Sequence, residues 1–503
     1  MGNHHLNVLI VDLEYPRYEI NEPINIDTIL DSFDDFVNYN VTFDVWYRTM
    51  GDKNPRDPDE YDILFVSTKI CSFYVLEELL VKFSGKSIII GGMLATFAHE
   101  RILKKYSEVI ISLGECECNL NSIMHFFIEK NDMDYVKGRL ISYKISGISF
   151  VDGNQKIYYS PIVPCDLSLI KKPLKHRALK ETLQKNGLVR VEGSRGCPWN
   201  RCSFCCVDWR YGCGKWREFP INRTVEEIKD LTKKGAKIIY FTDEDFVANS
   251  QHFLALFGEI KRLRDEKVID LDVSFWGSTS VYTLSSFGQK GLNEFLKLSV
   301  ECNINVLFIG IESGCNEQLK RYSKGVTKKE NMNILTALHD SGIHVDVGFI
   351  MFDSDTDLYE VRENLEFCVS AGLNRTISRL AKPIRIIPHT KIARYYESKN
   401  ILTGGLDENE LIYPYRFKDQ KVQVLYDSLN YIHTIVLEKV NELQSDVRMR
   451  NKYDKMDYIE ELVKQRNFEL EFIKEFVESF LGNDIDYKIL GKLISKVINE
   501  AII

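Results

Sequence analysis

Gly193-Ser-Arg-Gly-Cys-Pro-Trp-Asn-Arg-Cys-Ser-Phe-Cys-Cys206 is the stretch that decides how this chain is read. It places three soft sulfur donors, Cys197, Cys202 and Cys205, within nine residues. Iron–sulfur clusters usually take four cysteine ligands, so three thiolates hold three irons of a cubane and leave the fourth open to chemistry. Gly196 and its polar neighbours favour a tight loop over a helix face. A structural zinc site would want a second Cys or His pair at matching spacing. Cys213 offers one more sulfur, but no CxxC or HxxxH partner follows it. Simple packing cysteines would not need this spacing. The preferred reading is an open-sited iron–sulfur cluster on Cys197, Cys202 and Cys205, with Cys206 and Cys213 as non-ligands.

The frame around the triad is that of a large globular chain. Its 503 residues are 44% hydrophobic and 12% aromatic, ample for roughly two to four domains. No apolar run reaches the ~18 residues of a membrane span. The net charge of −8 argues against broad nucleic-acid binding, which leaves a basic footprint. Twelve cysteines fall short of disulfide-scaffold density. Met1-Gly-Asn-His-His-Leu6 runs straight into a strand-like segment with no secretory leader. A cytoplasmic protein with reduced thiols is therefore expected.

Upstream of the triad, strand and helix signals alternate as in a parallel sheet covered on both faces. Strands are expected at 7–12, 41–46, 62–68, 86–92 and 108–114, with helices near 25–37, 74–83, 95–106 and 119–129. The strand ends carry Ser67-Thr68, Gly91-Gly92 and Gly114-Glu115, and open α/β sheets bind ligands at that edge. No GxGxxG fingerprint is present, so a dinucleotide is disfavoured; taken alone, these glycines equally suit simple tight turns. Residues 145–161 read as a β-hairpin turning at Asp152-Gly153-Asn154. A proline- and lysine-rich stretch then leads to residue 187. His4, His5 and His99 are expected at the surface.

This N-terminal part resembles the cobalamin-binding domain that is fused to radical S-adenosylmethionine enzymes. The resemblance lies in Asn21-Glu-Pro-Ile-Asn-Ile26, Asp62-Ile-Leu-Phe-Val-Ser-Thr68, Ile89-Ile-Gly-Gly-Met-Leu-Ala-Thr96 and Leu113-Gly-Glu-Cys-Glu117. It implies a Rossmann-like domain over 1–140 whose Ser67, Thr68, Gly91, Gly92, Gly114 and Glu115 contact cobalamin. Cys116 stands where the family often has glycine. Without a DxHxxG motif, the corrin is expected base-off.

From residue 188 the alternation resumes in longer units, with six strand–helix repeats to about residue 405. This suggests a partial (β/α)6 barrel of the TIM type, with functional residues on the loops after the strands. Those loops hold the cysteines, Asp243-Glu244-Asp245, Ser278-Thr279-Ser280, Glu312-Ser313-Gly314, and Arg385 with His389-Thr390. An acidic loop alone is commonly just solvated; the shared rim is what matters.

Residues 188–405 resemble the radical S-adenosylmethionine superfamily through Gly310-Ile-Glu-Ser-Gly314, Leu319, Lys324-Gly325-Val326-Thr327, Trp216-Arg217, Glu227-Ile228 and Asp243-Glu244-Asp245-Phe246. The resemblance implies that a [4Fe-4S] cluster on the triad chelates S-adenosylmethionine through its open iron. It puts Phe204 near the adenine, Asp243 or Glu244 on the ammonium, and Ser278 and Glu312 on the ribose. Glu312 equally suits an ion pair on the barrel rim. One departure is that Pro198-Trp-Asn-Arg201 sets four residues between the first two cysteines, where three are commonest. Cys315 is expected to be a packing residue.

Residues 406–503 show apolar positions at helical spacing and read as a helical C-terminal cap with an aromatic core stripe; residues 141–187 are the hairpin and connector. The reading that follows is a cobalamin-dependent radical enzyme that methylates an unreactive carbon of a small molecule or peptide. It would be reduced by a partner such as flavodoxin or ferredoxin. A radical rearrangement or oxidation without methyl transfer is the alternative. A non-catalytic corrinoid- or metal-binding regulator is the alternative of another class, and the acidic rim loops speak against it. A methylthiotransferase is disfavoured because no second cysteine triad appears near the N-terminus.

Overall fold

The computed structural model describes residues 5–13, 20–36, 39–449 and 456–502. Its N-terminal sheet contains β1 (Leu6–Asp12), β2 (Val41–Tyr47), β3 (Ile63–Thr68), β4 (Ser87–Gly92), β5 (Ile110–Ser112), β6 (Ile148–Val151) and β7 (Ile157–Ser160), in the order β2-β1-β3-β4-β5-β6-β7. The first five are parallel. Alternation along each strand supplies two cores. Leu9, Leu64, Val66 and Ile90 face helices Phe73–Lys82 and Met93–Lys105. Val8, Ile10, Phe65 and Ile89 face helices Ile24–Asp31 and Leu120–Glu129. With both faces covered, such strands read as continuous apolar runs.

Four features differ from expectation. The hairpin β6–β7 does not stand apart from the sheet: β6 pairs antiparallel with β5 and extends it. Helix Met133–Ser142, capped by Asp132 and buried through Val136 and Leu140, precedes the hairpin. His99 is not a surface residue; it is buried and meets Ser149 at 3.2 Å. Cys165 is disulfide-bonded, against the expected fully reduced set.

The second sheet is formed by β8 (Val189–Val191), β11 (Ile238–Phe241), β12 (Ser274–Ser280), β13 (Ile304–Glu312) and β14 (His344–Phe349), parallel in sequence order. A short antiparallel pair, β9 (Ser194–Arg195) and β10 (Arg217–Glu218), brackets the cysteine loop. The expected sixth strand is reduced to a bridge, Phe352 with Pro383. Pro383 and Pro388 have no N–H to donate, and residues 384–387 between them belong to no strand.

Helices Gln420–Met449, Met456–Phe480 and Tyr487–Ile502 make the C-terminal unit. Leu425, Leu429, Phe472 and Phe476 join the barrel's own core with Leu365, Phe367 and Leu373. Arg466 donates to the Ile377 carbonyl at 2.6 Å. The unit thus packs on the β14 side of the sheet, where the barrel is incomplete.

Buried charges pin the two sheets together. His176 lies between Glu22 of the N-terminal domain (3.0 Å) and Glu227 of the barrel (3.1 Å). Burial alone would lower its pKa, but the hydrogen bonds it donates to the two carboxylates outweigh this and raise it to about 10. His176 is therefore a buried imidazolium at neutral pH.

Candidate functional site

The cysteine loop leaves β9 and ends in helix Val207–Tyr211. Its entry requires glycine: Gly196 has φ of +95°, and a Cβ there would sit 2.3 Å from the Lys215 carbonyl oxygen. Two elements clamp its middle. Ser203 donates from its N–H to the Tyr322 carbonyl (2.8 Å), and its own carbonyl accepts from Ile392 N–H (2.9 Å). The additional residue between the first two cysteines has a clear use. Trp199 packs tilted against Tyr282 at 4.3 Å, donates Nε1–H to the Ser323 carbonyl at 2.7 Å, and lies over Gly325. Asn200 absorbs the extra length at φ of +43°.

The three thiols are close enough to sense one another. Burial pushes Cys197 up to about 11, with Asp245 and Cys202 adding to the shift. Burial likewise raises Cys205, reinforced by Cys206, Cys202 and Cys197, and Cys202 is raised by burial against the pull of Lys324. Sheltered sulfurs of this kind ionise when a cation neutralises them. The donor set of three sulfurs on one loop fits an iron–sulfur cluster with an open iron. Among the described residues, no three His, Cys, Asp or Glu side chains stand in ligating geometry.

The acidic residues after β11 shape this loop. Asp243 is buried and accepts from Gly193 N–H (3.1 Å) and Ser194 Oγ–H (2.5 Å). Burial raises its pKa to about 8. Glu244 accepts from Gly196 N–H (3.0 Å), Arg210 (2.9 Å) and Tyr211 (2.7 Å). Both carboxyl groups are thus engaged in holding the loop. Asp245 accepts from Thr279 and Thr283 below them.

Glu312 ends β13 at φ of +64°, beyond a register shift at Gly310. A glutamate in the left-handed region is uncommon, and such strain gathers at functional sites. Its Oε1 accepts from Lys324 Nζ at 3.0 Å, and the lysine is 8% exposed. Lys324 lies within electrostatic reach of Cys202 and Cys197, so a cation faces the triad. In the sequence Lys324 stands out only as part of the Lys324-Gly325-Val326-Thr327 pattern, which carries no sign of its partner. Ser278, half-buried on β12, pairs with Tyr240 Oη at 3.3 Å. Phe204 packs edge-on against Tyr322 at 5.9 Å.

At the carboxyl edge of the N-terminal sheet, Thr68 Oγ1 donates to the Gly91 carbonyl (2.6 Å) and accepts from Ala95 N–H (3.1 Å). Ser67 accepts from Asn25 at 2.7 Å. Gly92, at φ of +92°, leaves no room for a Cβ, which would sit 2.1 Å from the Thr68 carbonyl oxygen. Gly114 approaches both Ile162 and the Arg210 carbonyl, the latter on the helix after the cysteines. Glu115 is 5% exposed. It takes Arg195 at 2.8 Å, Arg217 through both oxygens at 2.9 Å, and Cys165 N–H at 2.7 Å. Glu115 thus forms an interdomain clasp. Trp209 adds a second contact, with its ring stacked on His389 at 3.8 Å and Nε1 at 3.5 Å from the Thr96 carbonyl. The triad's loop is packed against the carboxyl edge of the N-terminal sheet.

Fold and site define the class. Residues 191–367 match the family model described as the Radical SAM superfamily, so the barrel is a radical S-adenosylmethionine domain, a type that implies a [4Fe-4S] cluster and S-adenosylmethionine. The chain takes the fold of cobalamin-dependent radical enzymes. It superposes over its whole length, and 76% of the other chain, on the S-adenosylmethionine radical enzyme OxsB with aqua-cobalamin and S-adenosylmethionine bound (TM-score 0.79, 19% identity). It matches 79% of its length and 78% of the methyltransferase TsrM from Kitasatospora setae, with cobalamin and [4Fe-4S] cluster bound (TM-score 0.64, 14% identity). By sequence it is 29% identical to 4'-phospho-dehydrooxetanocin synthase of Priestia megaterium, over 59% of this chain and 39% of that one. It is 27% identical to hopanoid C-3 methylase of Methylococcus capsulatus over 34% and 30% respectively. The matched region thus spans well under two thirds of either relative. Among the described residues no helix is long and apolar enough to cross a membrane.

Proposed function

We propose that this chain is a cobalamin-dependent radical S-adenosylmethionine enzyme that methylates an unactivated carbon. The observation that carries the reading is the contact between helix Val207–Tyr211, directly after the cysteines, and helix Met93–Lys105, which starts at Gly92. A cofactor at the Gly92–Gly114 edge and one on the triad would then be neighbours. When bound, the cluster supplies the electron that cleaves S-adenosylmethionine reductively, and cobalamin supplies a transferable methyl group.

The chain's own residues orient these groups. Cys197, Cys202 and Cys205 hold the metal. Lys324, buried beside the triad, takes the cosubstrate's carboxylate through a charge-assisted bond. Glu312 and Ser278 face the ribose, and Phe204 bounds the adenine. Asp243 and Glu244 fix the loop's shape through Gly193, Ser194 and Gly196. At the other domain, Gly91, Gly92 and Gly114 keep the backbone open to a flat corrin, while Ser67 and Thr68 set that edge.

A second reading, radical rearrangement or oxidation without methyl transfer, is favoured by one observation. The relative at 29% identity is named a synthase, not a methylase. Anaerobic reconstitution with iron, sulfide and cobalamin, followed by S-adenosylmethionine, reductant and a substrate panel, separates the two. Methylation yields both 5'-deoxyadenosine and S-adenosylhomocysteine. Deoxyadenosine alone supports the second reading. Neither product, from a chain with full cluster and bound cobalamin, overturns both.

A further inference from the structure

Glu312 sits at the centre of a three-residue turn. Ser313 N–H donates to the Ile311 carbonyl across it at 2.9 Å, and the φ of Glu312 is +64°. A bond from residue i+2 back to i with a positive central φ is the rare, strained form of the γ-turn. β13 and β14 are in register at Gly310 with Gly348 and again at Glu312 with Phe349, so Ile311 is the extra residue of a bulge. The turn leaves the glutamate folded back along its own strand. A Cβ on Gly310 would lie 2.4 Å from Glu312 Oε1 and 2.7 Å from Lys324 Nζ, and one on Gly348 would lie 3.5 Å from Oε2. The Glu312–Lys324 pair therefore rests on a floor of two glycines.

A strained backbone persists only where its surroundings hold it. Ile350 N–H donates to the Glu312 carbonyl at 2.7 Å, and Gly314 N–H donates to Asn364 Oδ1 at 2.7 Å. Asn331, fully buried on helix Lys328–Asp340, adds a clamp. Its Nδ2 donates to the Ile311 carbonyl at 3.1 Å and to the Ser313 carbonyl at 3.0 Å, so one amide ties the residues on either side of Glu312. Among the described residues Asn331 Oδ1 has no partner. A buried acceptor without a donor is costly, and a leucine of similar size would avoid it. The two donated bonds, and not packing, therefore account for an asparagine here. Reversing the amide would set Oδ1 against both carbonyls. Lys324 and Asn331 stand on either side of the capping residue Thr327. One segment thus supplies both the counter-charge of Glu312 and the clamp on its backbone.

We infer that Asn331 is a positioning residue: by tying the Ile311 and Ser313 carbonyls it keeps the turn closed and the Glu312 carboxylate against Lys324, so that S-adenosylmethionine meets both side chains already set. The inference rests on the reading that Glu312 and Lys324 form the cosubstrate's seat. Asn331 acts through the backbone of residues 311–313 and not through contact with the cosubstrate. The cost of the strained turn is then met in folding and not at binding, which is how a preorganised site gains affinity.

The test titrates S-adenosylmethionine calorimetrically into the full chain reconstituted with iron and sulfide. Asn331→Leu should bind about tenfold more weakly, the scale of one hydrogen bond to a charged group, with iron and sulfide content at the wild-type level. Asn331→Ala, too small to clash, should behave alike. In the metal-free chain, hydrogen exchange over residues 310–316 should quicken in both variants as the turn opens. A Glu312→Ala background separates positioning from packing. Asn331→Leu should add less than about twofold there, because residues that act as a unit are not additive. An equal loss in both backgrounds would mean that Asn331 only packs its helix, and would overturn the inference. Wild-type affinity in both Asn331 variants, with Glu312→Ala binding weakly, would also overturn it and leave the seat standing. Wild-type affinity in Glu312→Ala would overturn the seat and the inference together.

Discussion

Glu115 and Arg217 form a two-pronged ion pair across the domain boundary, with Nη1–Oε2 and Nη2–Oε1 both at 2.9 Å. Arg195 reaches the same carboxylate at 2.8 Å, so one buried anion joins the N-terminal sheet edge to both strands that bracket the cysteine loop. Removing one partner of a buried pair costs about 3–5 kcal/mol, because the other charges stay buried without compensation. Glu115→Ala should lose about that much in urea unfolding. Burial pushes the Glu115 pKa up, but hydrogen bonds from Arg217 and Arg195 outweigh it and hold the group below the ordinary glutamate range. Its contribution is therefore present above that range and lost as pH falls through the lowered value. Glu115→Gln should flatten the acid limb of the stability profile, measured as urea midpoint against pH.

His176 should give the opposite slope. Its pKa, raised to about 10 by Glu22 and Glu227, makes its contribution full below the ordinary histidine value near 6.5 and progressively lost up to about pH 10. Compared with wild type, His176→Gln should be destabilised most near pH 6, with the two curves converging toward pH 10. Parallel curves across this range would show that the imidazole is neutral in the fold.

Much of this architecture is legible locally. Runs such as Leu9-Ile-Val11 and Ile88-Ile-Ile90 announce buried parallel strands, and the cysteine spacing announces its loop. The sixth barrel strand misleads because Ile384, Ile386 and Ile387 have strand composition, while the flanking prolines remove the donors a ladder needs. Helix Met133–Ser142 was signalled by Asp132 at the cap with Val136 and Leu140 four apart, a pattern too short to stand out. The partners of Glu115, Asp243 and Glu244 are not legible in the sequence. Each partner is at least 33 residues away, as with Glu244 and Tyr211, and acidic loop residues look alike until the fold supplies that partner.

The loop's four-residue spacing depends on Trp199 lying over Gly325. A Cβ at Gly325 would sit 2.3 Å from Trp199 Cζ2, and its φ is +75°. Gly325→Ala should therefore displace the indole at a cost of about 1–3 kcal/mol. Trp199→Ala should leave the fold intact but loosen the loop. Both should lower retained iron after reconstitution and gel filtration, by less than Cys202→Ala does. Tryptophan fluorescence should report the displaced ring in Gly325→Ala. Unchanged iron content in both variants would show that the triad does not need this support.

Lys324 supplies the decisive charge at the cosubstrate's proposed seat. It is buried, joined to Glu312 at 3.0 Å, and faces Cys202 and Cys197. A hydrogen bond to a charged group contributes about 1.5–3 kcal/mol, so Lys324→Met should weaken S-adenosylmethionine binding by about 10- to 100-fold in calorimetry with the reconstituted chain. It also strips Glu312 of its counter-charge, which repels the incoming carboxylate. The double change Lys324→Met/Glu312→Gln removes that repulsion and should recover part of the loss. Lys324→Arg keeps the charge and should bind more tightly than either. Wild-type affinity in Lys324→Met would mean that the ammonium serves only the ion pair with Glu312, and that the cosubstrate's carboxylate is held by other groups.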